Sequence, residues 1–259
     1  MAAIFFDIDG TLWGMDHVIP ESTKEALRLL KENGHQIFLC SGRTEVCIRD
    51  PQFAAAGFDG VVSGCGTCVT YRGEDLFYAE IPRELLSKTL GIIRRYGFTP
   101  LLEGRDHLFT DPEEFRKDPF GKYMLDVMGK LISQIRGNEE HCTACKFNVM
   151  INGKEYREAA RLLEEDYQVF VQDGVVLELV PKECSKANGI ERMCRQIGCD
   201  RADTYAFGDG LNDLEMLDFV GTGIAMGNAK DIVKQNADYV TDDLYADGIF
   251  NACRHFGLI

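Results

Sequence analysis

Three apolar residues, Ile4-Phe5-Phe6, run directly into Asp7-Ile8-Asp9-Gly10-Thr11-Leu12, and this stretch constrains the fold more than any other. A short apolar run without alternation reads as a strand covered on both faces, the kind found in parallel sheets flanked by helices. Residues i and i+2 of a strand point to the same side, so Asp7 and Asp9 can face one small volume beyond its C-terminal end. Two carboxylates in such a volume raise one pKa or demand a cation. Alone, the pattern also fits a Gly-Thr turn carrying two solvated aspartates.

A second acidic cluster decides between these readings. Gly208-Asp209-Gly210-Leu211-Asn212-Asp213 again follows an apolar run, Tyr205-Ala206-Phe207, about two hundred residues later. Between the two lie Cys40-Ser41-Gly42-Arg43, after the apolar run from Ile37, and Ser185-Lys186, before a helical pattern. A hydroxyl, a backbone N–H beside Gly42 and a lysine ammonium can together hold phosphoryl oxygens. Taken singly, Ser41 also reads as a helix cap and Lys186 as a solvated lysine.

The pattern at both ends of the chain is strand, helix, strand. Apolar runs at Ile4–Phe6, Ile37–Cys40 and Val61–Ser63 alternate with a helix over Ser22–Asn33, for which Ser22 and Glu25 predict a capping box and Gly34 a stop. From Ser185 the same rhythm returns: a helix with Ile190, Met193, Cys194 and Ile197, the strand before Asp209, a helix through Met216, a strand at Gly223–Met226 and a helix from Ala229. This predicts an α/β core, a doubly wound parallel sheet whose ligands sit beyond the strands' C-terminal ends.

The middle of the chain differs. Helical patterns at Arg83–Tyr96 and Glu155–Glu165 mix with strand-like runs at Lys146–Ile151 and Gln168–Val171, and Asp173-Gly174 predicts a type I′ hairpin turn between Val169–Gln172 and Val175–Val180. The expectation is an α+β domain over residues 83–182, an antiparallel sheet with helices on one face, inserted into a core of residues 1–82 and 183–259. Pro82 and Pro181 mark the expected hinges. Within the insert, Arg105, His107, Asp126, Lys146, Asn148 and Glu178 read as surface or satisfied strand residues, and none is assigned to a ligand.

The 259 residues carry a formal net charge of −14 and no basic run, which argues against a nucleic-acid partner. No apolar stretch approaches the roughly 20 residues that span a bilayer, and Met1–Phe6 is too short for a signal peptide. The cytoplasm is the default, and no obligate protein partner is inferred. The ten cysteines read as thiols of a reducing compartment, most of them buried. Cys65/Cys68 and Cys142/Cys145 have C-x-x-C spacing, but the gap between the pairs far exceeds the about 15–20 residues of a four-cysteine zinc site. Neither pair stands clearly at a helix N-terminus that would make it a redox pair.

In order and spacing, D-x-D-G-T-L at Asp7–Leu12, S-G-R at Ser41–Arg43, S-K at Ser185–Lys186 and G-D-G-x-N-D at Gly208–Asp213 with the following Glu215-Met216-Leu217 resemble the haloacid dehalogenase superfamily. The closer likeness is to its Cof-type phosphatases of subclass IIB, which carry a large insert between the second and third motifs. The resemblance implies a Rossmann-like core with an inserted cap domain and a Mg²⁺-dependent phosphatase of small phosphorylated metabolites, such as sugar phosphates. It assigns Asp7 as nucleophile, Asp9 as acid and base, and Asp7, the Asp9 carbonyl and Asp209 to magnesium, with Asn212 and Asp213 supporting. Ser41, Gly42 and Lys186 would hold the phosphate, and Arg43 would orient the substrate or the Ser41 loop. Two departures stand out: Cys65-Gly66-Thr67 replaces the usual Asn-Gly-Ala, and Ala187 replaces the glycine after the lysine. A phosphomutase or other phosphotransferase fits the same motifs. A non-hydrolytic phospho-acceptor switch fits less well, because it lacks an equivalent of Asp9.

Overall fold

The computed structural model describes every residue of the chain except Asp173, so the predicted Asp173-Gly174 turn type lies outside the described residues. The chain forms two compact units: Met1–Arg43 with Ile48–Phe77 and Ser185–Ile259, and Thr44–Cys47 with Tyr78–Cys184. Their edges fall a few residues outside Pro82 and Pro181. The Thr44–Cys47 segment, which no sequence pattern singled out, belongs with the insert.

The first unit is built on the expected α/β sheet. Its strand order is Tyr239–Val240, Thr222–Ala225, Thr204–Gly208, Ala3–Phe6, Gln36–Cys40, Gly60–Ser63, Cys68–Tyr71 and Glu74–Tyr78. The six strands from Tyr239–Val240 to Gly60–Ser63 pair in parallel. Cys68–Tyr71 joins antiparallel, a sheet extension that the sequence reading did not include. Alternation along Ala3–Phe6 explains why the run is wholly apolar. Ile4 and Phe6 enter one core with Leu27, Leu30, Phe207 and Ile249, and Ala3 and Phe5 enter the other with Ile190, Met193 and Leu217. Helices Glu21–Glu32 and Gly248–His255 thus cover one face, and Lys186–Ile197 and Leu214–Phe219 the other. The strand order reverses between Ala3–Phe6 and Thr204–Gly208, the switch point at which such sheets bind ligands.

One local expectation fails. The first helix starts at Glu21 with Pro20 as its N-cap and has no side-chain cap bond, so Ser22 and Glu25 form no capping box. Glu25 is occupied by Arg28 one turn on, through both carboxylate oxygens.

The second unit carries a six-stranded sheet ordered Tyr167–Gln172, Val176–Pro181, Lys146–Met150, Thr99–Glu103, Leu108–Thr110 and Ile132–Gln134. It is antiparallel except for its last pair, which is parallel. Its helices cover both faces rather than one. Arg83–Arg95 and Arg157–Leu163 pack on Leu102, Phe147, Val149, Leu177 and Leu179. On the opposite face Leu101, Leu108 and Met150 meet Phe115 of the short helix Pro112–Phe115 and Val46 of the Thr44–Cys47 segment. No helix among the described residues is long and apolar enough to cross a membrane.

Candidate active site

Asp7 directly follows the Ala3–Phe6 strand and Asp209 the Thr204–Gly208 strand, on either side of the switch point. Asp7, Asp209 and Asp213 each offer a carboxylate oxygen, all within 4.8 Å of one another. Lys186, the first residue of helix Lys186–Ile197, is fully buried and donates through Nζ to Asp7 Oδ1 and Asp213 Oδ1, each at 2.5 Å. Ser185 caps that helix, its hydroxyl accepting from the Asn188 N–H. The other Asp213 oxygen accepts from the N–H groups of Asp209 and Gly210, both at 2.9 Å. Asp213 is thereby committed to shaping the Asp209 loop and holding the lysine.

Three carboxylates against one ammonium leave an excess of two negative charges in a buried space. Burial, then the charge of Asp213, pushes the Asp7 carboxyl well above the ordinary carboxylate range, and Lys186 offsets this only in part. Burial and Asp213 likewise raise Asp209 to about 6, against a hydrogen bond from Thr11 Oγ1 at 2.8 Å. Burial opposes the Lys186 charge, but Asp213 and Asp7 override it and hold the ammonium well above its usual value. This is a site short of one or two positive charges, lined by hard oxygen donors, and its chemistry fits a divalent cation such as Mg²⁺.

Asp9 lies apart from the triad. Arg43 Nε donates to its Oδ2 at 2.6 Å and Arg43 Nη2 to its Oδ1 at 2.8 Å, while Trp13 Nε1 adds a third bond at 3.0 Å. Burial works against ionisation there, yet the Arg43 bonds and charge and the Trp13 bond keep this carboxyl below its ordinary range. Ser41 follows the Gln36–Cys40 strand, is buried, and accepts from the Arg43 N–H at 3.1 Å. Gly42 lies between these two residues. Gly64, Cys65 and Gly66 all have positive φ, and they back this loop through Cys65 N–H to the Ser41 carbonyl and Gly64 N–H to the Arg43 carbonyl. Asn212 is half-buried beside Gly210 and is not part of the triad.

The structure adds three residues to the sequence reading. Thr11 orients Asp209, and Trp13 orients Asp9. Asn228 donates to the Gly10 carbonyl at 2.7 Å and accepts from the Leu244 N–H at 2.9 Å, tying the first acidic loop to the turn after the Thr222–Ala225 strand. Thr11 and Trp13 adjoin a visible motif, whereas for Asn228 only its place after an apolar run gave a signal.

A model of the haloacid dehalogenase-like hydrolase family matches residues 4–253. The chain belongs to this family. The Bacillus subtilis (strain 168) protein YkrA, which is named as a phosphatase, is 30% identical over 99% of this chain and 98% of its own length. The HMP-PP phosphatase of Yersinia pseudotuberculosis is 30% identical over 89% of this chain and 85% of its own. Among solved structures, a sugar phosphatase of haloacid dehalogenase subclass IIB superposes with a TM-score of 0.85 at 26% identity, covering all of both chains. This haloacid dehalogenase-like hydrolase is of the Cof type, and its enzymatic class is that of a phosphoric monoester hydrolase.

Proposed function

We propose that the chain hydrolyses a small phosphorylated metabolite, a sugar phosphate or a similar monoester, through a phosphoryl group carried on Asp7. The observation that carries this reading is the cluster of buried Asp7, half-buried Asp209 and buried Asp213, with Lys186 ion-paired to Asp7 and Asp213. Asp7 and Asp209 would hold Mg²⁺ with the Asp9 main-chain carbonyl, and Asn212 and Asp213 would support it. When bound, the ion would screen the phosphoryl charge from the carboxylates.

Asp7 Oδ attacks phosphorus while the bond to the leaving oxygen breaks, and Asp9 gives that oxygen its proton. Asp9 then takes a proton from water as the water oxygen attacks phosphorus, the Asp7 ester bond breaks, and inorganic phosphate leaves. Ser41, the Gly42 N–H and Lys186 hold the transferring oxygens, and Arg43 orients the loop beside Asp9. The insert is read as the cap that selects the leaving group. The substrate class rests on the relatives named above, one acting on HMP-PP and one on sugar phosphates. A cytoplasmic setting is part of the reading, supported by ten cysteines of which eight are buried.

Phosphate release from an aryl phosphate and from a panel of phosphometabolites, with Mg²⁺ or with chelator, tests the proposal. Turnover should need the metal and vanish in Asp7→Asn. Metal-independent turnover, or turnover that survives Asp7→Asn, overturns it. Phosphate retained stoichiometrically on Asp7 without release would point to a phosphotransferase or a switch.

A further inference from the structure

One short turn in the first unit grips both acidic loops. Residues 226–230 follow the Thr222–Ala225 strand, and two of their N–H groups hold the second loop: Met226 donates to the Gly208 carbonyl at 3.0 Å and Lys230 to the Asp209 carbonyl at 3.3 Å. Asn228, between them, reaches the first loop with its side chain. Its Nδ2 donates to the Gly10 carbonyl at 2.7 Å, and its Oδ1 accepts from the Leu244 N–H at 2.9 Å. Only one setting of the amide serves an acceptor and a donor in this way. Leu244 is buried in the same apolar cluster as Leu12 and Trp13, so the clamp is anchored in the core that the first loop also enters. All of these residues belong to the first unit.

Gly10 is where the first loop most needs a clamp. At a φ of +89° it sits in the left-handed region and has no side chain to hold it there. Its N–H donates to the Trp13 carbonyl at 2.8 Å, which fixes the plane of the Asp9–Gly10 peptide, and the Asn228 bond fixes the next plane. The bridge between Asp9 and Trp13 uses the Ile8 carbonyl and the Gly10 N–H, while the Asp9 carbonyl takes no part in it. In a trans peptide that carbonyl points opposite to the Gly10 N–H, so its direction is set once the plane is. The Asp9 carbonyl and the Asp209 carboxylate are two of the proposed metal donors, and the Asn228 turn ties together the loops that carry them.

We propose that Asn228 is a positioning residue for the divalent cation: by bridging the Gly10 carbonyl to the turn that holds Asp209, it keeps the donor oxygens of the two acidic loops at the rigid spacing that Mg²⁺ requires and Ca²⁺ does not. Mg²⁺ demands near-octahedral ligands at about 2.0–2.1 Å, whereas Ca²⁺ accepts roughly six to eight oxygens at about 2.3–2.6 Å in flexible arrangements. The choice between the two ions therefore depends on how stiffly the donors are held, and groups behind the ligands supply that stiffness. This role rests on the proposed metal-binding role of the Asp9 carbonyl and Asp209. It assigns the choice of ion to a side chain that holds the loops rather than the metal.

Calorimetric titration of the metal-free protein with Mg²⁺ alone or Ca²⁺ alone tests this independently of turnover. The wild type should favour Mg²⁺. Asn228→Ala should lower that preference roughly tenfold, through weaker Mg²⁺ binding with Ca²⁺ affinity changed by about twofold or less. Asn228→Asp keeps an oxygen for the Leu244 N–H and loses only the donor to Gly10. Its added charge acts alike on two dications and drops out of their ratio, so the preference should fall to the same degree, and this variant decides the matter if Asn228→Ala does not fold. Asn251→Ala is the control, because Asn251 donates to Asp242 Oδ2 at 2.8 Å in the loop before Leu244, a bond that involves no part of the first acidic loop. Its ratio should match that of the wild type. An unchanged ratio in Asn228→Asp overturns the proposal, as does a fall of equal size in Asn251→Ala or a wild type that binds both ions alike. A wild type that binds neither ion removes the metal from the proposed function and the role of Asn228 with it, whereas a Mg²⁺-preferring wild type with unaffected Asn228 variants removes only the latter.

Discussion

At the scale of single residues, the site is an argument about charge. Lys186 carries one positive charge and pairs with Asp7 and Asp213, and burial with the charge of Asp213 raises Asp209 to about 6 from an ordinary 3.8. The folded chain therefore holds this proton more tightly than the unfolded chain. The stability that Asp209 contributes is fully present below 3.8 and is lost as pH rises through about 6. Without divalent cations, the wild type should lose melting temperature relative to Asp209→Asn as pH goes from about 4 to about 7. Added Mg²⁺ at neutral pH should recover the wild type and leave the variant unmoved. Thermal melts of the two proteins across pH, with and without metal, check this, and parallel pH profiles would sink it. The two aspartates of the first motif could be found by spacing alone, but their division of labour could not. The i and i+2 rule places both on one side, yet Asp9 turns to Arg43, a partner 34 residues away that no local pattern announces.

At the scale of elements, the turn after the first strand is set by one residue. Gly10 has a φ of +89°, and a Cβ added to it would lie 2.3 Å from Asp209 Oδ2. Gly10→Ala must therefore strain the backbone and displace a proposed metal ligand together. A left-handed conformation forced on a non-glycine residue costs about 1–3 kcal/mol, so urea melts should show at least that loss, along with a weakened stabilising response to Mg²⁺. Unaltered stability and an unaltered metal response would refute this account. The elements legible in the sequence were those with a strong period or a uniform apolar run: Ala3–Phe6, Gln36–Cys40, Lys186–Ile197 and Thr204–Gly208 all lie within a residue or two of where the pattern put them. The capping box at Ser22 failed because the helix already starts at Glu21 with Pro20 as its N-cap, which places Ser22 inside the helix. The strands Leu108–Thr110 and Ile132–Gln134 went unread because three residues carry too little pattern to register.

At the scale of the whole molecule, the α/β class was legible because parallel strands covered on both faces leave no polar alternation, while the hairpin-rich insert does. What sequence could not give was the membership of Thr44–Cys47. Its assignment depends on Val46 finding Leu101 and Phe115, contacts far apart in sequence. The two units have separate apolar cores, and the carboxylate triad belongs entirely to the first. Trp13, the single tryptophan, is buried in that same unit against Phe53, with ring centroids 4.6 Å apart. Tryptophan emission thus reports one unit, while far-UV circular dichroism reports both. A ligand that binds only the folded first unit should stabilise that unit alone, by about 2.7 kcal/mol at a hundredfold excess over its Kd. Denaturant unfolding should therefore show a tryptophan transition that moves to higher denaturant with Mg²⁺, and a second transition by circular dichroism that stays in place. If both probes instead follow one coincident transition that moves as a whole with Mg²⁺, the units unfold as one, and the separation of their cores does not extend to their energetics.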